Sequence, residues 1–313
     1  MKQLYLILIG ILMIVIVSLS GVYLYGQQAH VAQWAKGPIK VVATFYPVYD
    51  FAHNVGGDRI SLSLLVPETV DVHDFEPTPQ SIEAVANADV LIFSGAGLES
   101  WISQIVAAAD NPRLVVVDSS KGIPLLPVPP QFQKDNRTVD PHIWLDPVLA
   151  KQQVMNILHG LIETHPADQQ YFTSNAQKYT SQLDTLNLEI LNVTAHAKTR
   201  YFVTFHEAFA YFAKRYNLTQ IPIAGPFEEE PTPSDIHNVI TAINNYHLCY
   251  VGYESLENPS VSQSIASQTH ATLVLMDPIE GLSQADQAAG KTYLTKMQDD
   301  LVSFMLALYN VGC

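Results

Sequence analysis

The sequence predicts an α/β protein of two lobes, each with a roughly four-stranded parallel sheet and flanking helices, joined by one long rigid linker helix. The first reason is length, because 313 residues exceed what one hydrophobic core usually serves. The second is that short β-branched runs alternate with stretches long enough for helices, which is typical of βαβ units. We expect a first lobe at residues 38–166, the linker helix at 167–197 and a second lobe at 198–313.

The predicted strands fall into two sets, one on each side of the linker helix. Leu114, Val115, Val116 and Val117 illustrate their pattern, because apolar side chains occupy consecutive positions. Such runs suit parallel strands whose sheet is covered on both faces. The segments are residues 40–46, 60–66, 89–94 and 113–118 in the first set, and 200–205, 219–224, 248–254 and 271–276 in the second.

The linker helix has the clearest periodicity in the chain. Its apolar residues are spaced alternately four and three apart, which places them along one face of a helix. They are Phe172, Ala176, Tyr179, Leu183, Leu186, Ile190 and Val193. Neither Gly nor Pro interrupts the segment, so we expect a straight element that spans both lobes.

Composition excludes several classes of protein. With 48% apolar and 15% charged residues, the chain is not an intrinsically disordered polyampholyte. A formal charge of −14 argues against nucleic-acid binding and favours cations as partners. Two cysteines are too few for a cysteine-based zinc module, so a bound metal must use His and carboxylate ligands.

The amino-terminal segment predicts export. Residues 4–25 contain no charge, and a helix of this length would reach about 33 Å, which is long enough to cross a bilayer. We favour an uncleaved transmembrane anchor over a cleaved signal peptide, whose apolar region is usually shorter. Lys2 on the short flank places the remainder outside the cytoplasmic membrane, at the cell surface or in the periplasm, with residues 27–38 as a tether.

Two further features fit an exported protein. Cys249 and Cys313 can pair in an oxidising compartment, and the alternative is a buried Cys249 with a free terminal thiol. Three Asn-x-Ser/Thr triplets, which begin at Asn136, Asn192 and Asn217, are compatible with an exported surface.

Four side chains are candidate metal ligands. His73 follows the second predicted strand, His142 lies in a proline-bounded turn before a helix, and His206 directly follows the fifth strand. Asp277 follows the last strand in the same way. Ligands of open α/β sheets bind where the carboxyl ends of the strands meet, so these four side chains can converge between the lobes. Three imidazoles and one carboxylate suit a tetrahedral ion such as Zn²⁺.

Several motifs occur in the order typical of one protein family. They are Thr44-Phe45-Tyr46-Pro47, His73-Asp74-Phe75-Glu76-Pro77-Thr78-Pro79, Gly95-Ala96-Gly97-Leu98-Glu99-Ser100-Trp101, Asp140-Pro141-His142-Ile143-Trp144-Leu145-Asp146-Pro147, His206-Glu207-Ala208-Phe209-Ala210-Tyr211-Phe212 and Glu230-Pro231-Thr232-Pro233. From residue 39 onward the chain resembles the zinc/manganese solute-binding proteins of ABC importers, the cluster A-I binding proteins. The resemblance implies ligands at His73, His142, His206 and Asp277, and two lobes joined by a rigid helix.

The resemblance also implies a function. We expect a non-enzymatic, monomeric receptor that binds Zn²⁺ and delivers it to an ABC permease driven by an ATPase subunit. An imidazole at position 206 favours zinc over manganese, with iron less favoured still. Two carboxylates are candidate hydrogen-bond partners of the ligands, Glu254 at the end of a strand and Glu207 beside His206. The proline-rich loop at residues 122–139 lacks the histidines that many zinc-binding members carry there.

Two other interpretations remain open from the sequence. A zinc hydrolase could use the same ligands, with Glu207 as general base, if one coordination position were left for water. A surface adhesin could instead hold the metal for structural reasons.

Overall fold

The computed structural model describes residues 37–73, 75–133, 137–227 and 229–313. The predicted membrane segment, most of its tether and the triplet residue Asn136 lie outside these ranges. Among the described helices, none combines the length and apolarity needed to cross a bilayer.

The first lobe is built on a parallel sheet with strand order β2-β1-β3-β4. The central strand β3 is buried along Val90, Leu91 and Ile92, because helices cover both faces of the sheet. Its elements are β1 (Ile39–Ala43), α1 (Tyr46–Gly56), β2 (Ile60–Leu64), α2 (Pro79–Ala86), β3 (Val90–Phe93), α3 (Ile102–Ala109), β4 (Val115–Asp118) and α4 (Pro147–Thr164). All four predicted strands of this lobe are present.

The second lobe also contains four strands, but they pair two by two. Strand β5 is parallel to β6, and β7 is parallel to β8. The two pairs lie side by side at Gly252, where an added Cβ would lie 2.7 Å from the Val203 carbonyl oxygen. At the ends of these strands the backbone N–H of His206 donates to the Glu254 carboxylate. The elements are β5 (Tyr201–His206), α6 (Ala210–Arg215), β6 (Thr219–Ala224), α7 (Pro233–Tyr246), β7 (Tyr250–Tyr253), α8 (Ser260–Thr269), β8 (Thr272–Leu275), α9 (Gln284–Ala288) and α10 (Tyr293–Tyr309).

The linker helix is α5 (Gln169–Ala195), and its 27 residues span about 40 Å. Every residue of the predicted apolar face is buried, which confirms the periodicity argument. The helix contacts both lobes: the Tyr179 hydroxyl donates to Asp50 on α1 over 2.7 Å, and Tyr309 on α10 donates to the Val193 carbonyl over 2.8 Å. One continuous hydrophobic core includes residues of both lobes and of α5. The predicted α/β fold class is therefore confirmed.

The carboxyl terminus is fixed to the start of β7. Cys249 and Cys313 form a disulfide with their Cα atoms 5.6 Å apart. The backbone N–H of Gly312 also donates to the His247 carbonyl, and Leu248 forms an isolated β-bridge with Val311. The sequence left open either a disulfide or a buried Cys249 with a free terminal thiol, and the structure contains the disulfide.

Removal of this disulfide should measurably lower the stability of the folded protein. The cysteines are 64 residues apart, and cross-linking a loop of that length stabilises the folded state by about 4 kcal/mol in the chain-entropy model. The double variant Cys249→Ala/Cys313→Ala should show a lower free energy of unfolding in urea by about that amount. Chemical reduction of the unaltered protein should produce the same shift, and an unchanged urea midpoint would contradict the prediction.

Candidate metal centre

Three histidines from distant parts of the chain meet between the lobes. His73 follows β2, His142 precedes the short 3-10 helix Ile143–Leu145, and His206 is the last residue of β5. The Nε2 atoms of His142 and His206 lie 3.2 Å apart. The ring centroids of His73 lie 5.5 Å from His142 and 5.9 Å from His206. The structure thus brings together the three imidazoles that the sequence selected.

The fourth member of the group is Glu280, in the loop after β8. Its Oε1 lies 3.2 Å from Nε2 of both His73 and His142, and 3.7 Å from Nε2 of His206. The four donor atoms all lie within 4.8 Å of one another. This arrangement offers three nitrogen donors and one carboxylate oxygen to an ion.

Asp277, the fourth ligand suggested by the sequence, is absent from this group. Its Oδ2 lies 2.8 Å from the buried Nζ of Lys296, and its Oδ1 accepts from the Ile279 backbone N–H at 2.9 Å. The side chain is therefore neutralised by a lysine and committed to its own loop. Glu280 lies three residues further along in the same loop, and it is the carboxylate that the structure places beside the three imidazoles.

Two of the three imidazoles are held by carboxylates on the opposite side of the ring. Asp140 Oδ1 lies 2.8 Å from His142 Nδ1, and both oxygens of Glu254 lie 2.9 Å from His206 Nδ1. A proton on Nδ1 leaves the Nε2 lone pair free to face the group. Glu254 was selected from the sequence, whereas Asp140 was missed, although it stands two residues before His142.

A pocket lies beside His73, one of the three histidines of the donor group. Its side chain is 4% exposed, whereas those of His142 and His206 are fully buried. The pocket has a volume of about 550 Å³ and is lined also by Phe75, Glu76 and Trp101. Within the described ranges His73 Nδ1 has no hydrogen-bond partner.

Charge interactions within the group are strong. Burial disfavours the ionised form of Glu280, but the surrounding imidazoles outweigh burial and hold its pKa well below the ordinary value. Burial likewise disfavours the cationic form of His142, but Asp140 and Glu280 outweigh it and raise its pKa above 6.5. Protons are therefore attracted to the site that a cation would occupy.

Glu207, the second carboxylate suggested as a partner of the ligands, has a different environment. Its Oε2 is buried and has no hydrogen-bond partner among the residues that the structure describes. Burial, reinforced by the charge of Asp140, raises its pKa to about 7. The Nδ1 atoms of His142 and His206 face Asp140 and Glu254 instead.

The donor group fits a tetrahedral zinc ion. Zinc binds His nitrogen and carboxylate oxygen at about 2.0 to 2.2 Å, so its ligands lie about 3.3 Å from one another. Glu280 Oε1 lies 3.2 to 3.7 Å from the three Nε2 atoms, those of His142 and His206 lie 3.2 Å apart, and all four donor atoms lie within 4.8 Å of one another. Small shifts of side chains would complete a coordination shell.

The sequence matches a known family over most of its length. Residues 41–305 match the model of the ZnuA family, described as the periplasmic component A of a zinc-uptake complex. The high-affinity zinc uptake system protein ZnuA of Bacillus subtilis is 30% identical over 272 residues, covering 84% of this chain and 85% of the relative. The zinc-binding protein AdcA of Streptococcus pyogenes is longer and 28% identical. The alignment covers 94% of this chain and 61% of that relative.

Solved structures show the same fold. The metal-dependent lipoprotein YcdH of Bacillus subtilis superposes with a TM-score of 0.76 at 30% identity, covering 87% of this chain and all of that one. Zinc-bound AdcA of Streptococcus pneumoniae has a TM-score of 0.77 at 26% identity, with 88% of this chain and 59% of that chain covered. The laminin-binding protein of Streptococcus agalactiae, described as having adhesin and metal-transporting activity, superposes with a TM-score of 0.77 at 28% identity. The superposition covers 87% of this chain and 99% of that one. The chain therefore belongs to the ZnuA family of zinc-uptake binding components.

Proposed function

We propose that this protein binds Zn²⁺ outside the cytoplasmic membrane and delivers it to an ABC permease that works with an ATPase subunit. The observation that carries the proposal is the convergence of His73, His142, His206 and Glu280 within 4.8 Å. Two donors precede the linker helix and two follow it, so one ion would join the lobes. The zinc-binding and zinc-uptake relatives support the same function.

The donor types favour zinc over manganese. Imidazole nitrogen suits Zn²⁺, whereas Mn²⁺ prefers a shell richer in oxygen. Three of the four donors here are nitrogens. Asp140 and Glu254 add negative charge behind two of the rings, which strengthens the ligands and compensates the ion.

A binding role accounts for the site better than hydrolysis. Catalytic zinc generally keeps three protein ligands and an open position for water. Here a fourth donor, Glu280, lies 3.2 to 3.7 Å from the three Nε2 atoms and fills that position. We therefore propose that the metal is cargo and that the protein is not an enzyme.

The proposed location follows from the relatives and the chain together. The matched family is described as periplasmic, and the pneumococcal AdcA is described as a lipoprotein. The Cys249–Cys313 disulfide fits an oxidising compartment. We propose that residues 4–25 attach the protein to the membrane and that residues 38–166 and 198–313 form the two lobes on either side of the 167–197 linker.

Replacing single ligands tests the proposed site. His73→Ala and Glu280→Gln should each weaken zinc binding more than about 100-fold, because even the outer partners of metal ligands typically contribute 10- to 100-fold. Calorimetric titration against a competing chelator measures these affinities. His159→Ala, an exposed histidine outside the group, is the control and should bind zinc like the unaltered protein. Equal affinity in all four proteins would reject the proposed site.

The carboxylate behind His206 should matter through its charge. Glu254→Gln keeps the shape of the side chain but removes the charge that holds Nδ1–H, so zinc affinity should fall about 10- to 100-fold. Glu257→Gln removes the same charge three residues further along and should change affinity little. If both variants lost affinity equally, the effect would be one of general charge and the positioning of His206 would be disproved.

Zinc binding should weaken in acid. The ion must displace any proton on His142, whose raised pKa keeps the ring protonated to a higher pH than an ordinary imidazole. One imidazole with the ordinary pKa of 6.5 already lowers affinity about 30-fold between pH 7.5 and pH 5. Competition titrations at the two pH values should show at least that loss, and equal affinities would contradict imidazole ligation.

A further inference from the structure

The loop that carries Glu280 is anchored to the second lobe through a buried ion pair. Lys296 on α10 is 1% exposed, and its Nζ lies 2.8 Å from Asp277 and 3.1 Å from Asp286. Asp300, one turn further along α10, accepts from the Asp277 backbone N–H over 2.9 Å. A charge pair at this depth is stable only while both partners remain. The beginning of the loop is therefore tied to α10.

The same ion pair supports an unfavourable backbone conformation beside the ligand. Ile279, the residue before Glu280, has φ of +60° and is fully buried. This region is costly for a β-branched residue and persists only when the surroundings enforce it. Asp277 Oδ1 accepts from the Ile279 N–H over 2.9 Å while its Oδ2 contacts Lys296. One aspartate thus links the lysine to the strained residue.

Further contacts of the loop reach the first lobe. Trp144 Nε1 donates to the Pro278 carbonyl over 2.7 Å, and the Leu282 N–H donates to the Glu68 carbonyl over 2.8 Å. An added Cβ on Gly281 would lie 2.1 Å from that same carbonyl oxygen, so only glycine permits this approach. The segment around Glu280 is held from both lobes, and its carboxylate has little freedom to turn away.

We propose that Lys296 is a positioning residue for zinc binding: through Asp277 and Ile279 it aims Glu280 at the three imidazoles. The inference rests on the proposed binding of zinc by Glu280. It also accounts for the choice of carboxylate, since Lys296 keeps Asp277 engaged and leaves Glu280 as the donor.

A purely electrostatic role and a positioning role of Lys296 predict opposite changes in zinc affinity when the lysine is removed. If Lys296 acted only as a charge, its removal would delete a positive charge near a cation site and strengthen zinc binding. If it positions Glu280, its removal frees the loop and weakens zinc binding. The direction of the change in affinity therefore separates the two roles.

The test is a double-mutant cycle on the full chain with zinc as the probe. Lys296→Met should weaken zinc binding at least tenfold in the unaltered background, yet change it less than about twofold when Glu280→Gln is already present. Cobalt(II) spectra provide a second readout, because the intense bands of a four-coordinate ion should decline in Lys296→Met. Lys291→Met is the matched control, since it breaks the more exposed ion pair with Asp299 and should leave both readouts unchanged.

Each outcome of the cycle has a distinct meaning. Unchanged or tighter zinc binding in Lys296→Met, or an equal loss in both backgrounds, would overturn the positioning role while leaving zinc binding itself intact. Failure of the unaltered protein to bind zinc would instead reject the proposed function. If Lys296→Met does not fold, Asp277→Asn enters the same cycle, because it retains the shape of the loop and removes its charge pair. The same coupling to Glu280 is expected.

Discussion

The site depends on a buried carboxylate surrounded by three imidazoles. Glu280 is 5% exposed and contacts His73, His142 and His206, so its charge cannot be compensated by water. His142, whose pKa is raised by Asp140 and Glu280, provides part of this compensation, and a bound cation would provide the rest. Protons and metal therefore compete for the same lone pairs.

The fold brings these four groups together because of where its strands end. His206 closes β5, Glu280 follows β8 and His73 follows β2, so three of the donors lie beyond the carboxyl ends of parallel strands. Such ends are the usual binding edge of open α/β sheets. The continuous core along α5 restrains the lobes against each other, which suits a site that needs donors from both.

Much of the fold could be predicted from local patterns in the sequence. The apolar face of α5 and the strands of both lobes follow from periodicity. The three histidines follow from strand ends, from a proline-bounded turn and from the family motifs around them. The two-by-two pairing of the second lobe did not follow, because it depends on how closely β5 and β7 approach at Gly252. The sequence favours Asp277 because it directly follows a strand, but the lysine that contacts it in the structure, Lys296, lies 19 residues further along on another helix. Asp140 was missed for a different reason, since its contact with a ring two residues away depends on the turn geometry.

The most direct test of this account is X-ray absorption at the zinc edge on the loaded protein. A four-coordinate shell of nitrogen and oxygen at about 2.0 Å, with outer-shell scattering from three imidazoles and no sulfur, is the predicted result. A six-coordinate shell dominated by oxygen, or scattering from fewer than three imidazoles, would contradict the convergence of His73, His142, His206 and Glu280 on one ion.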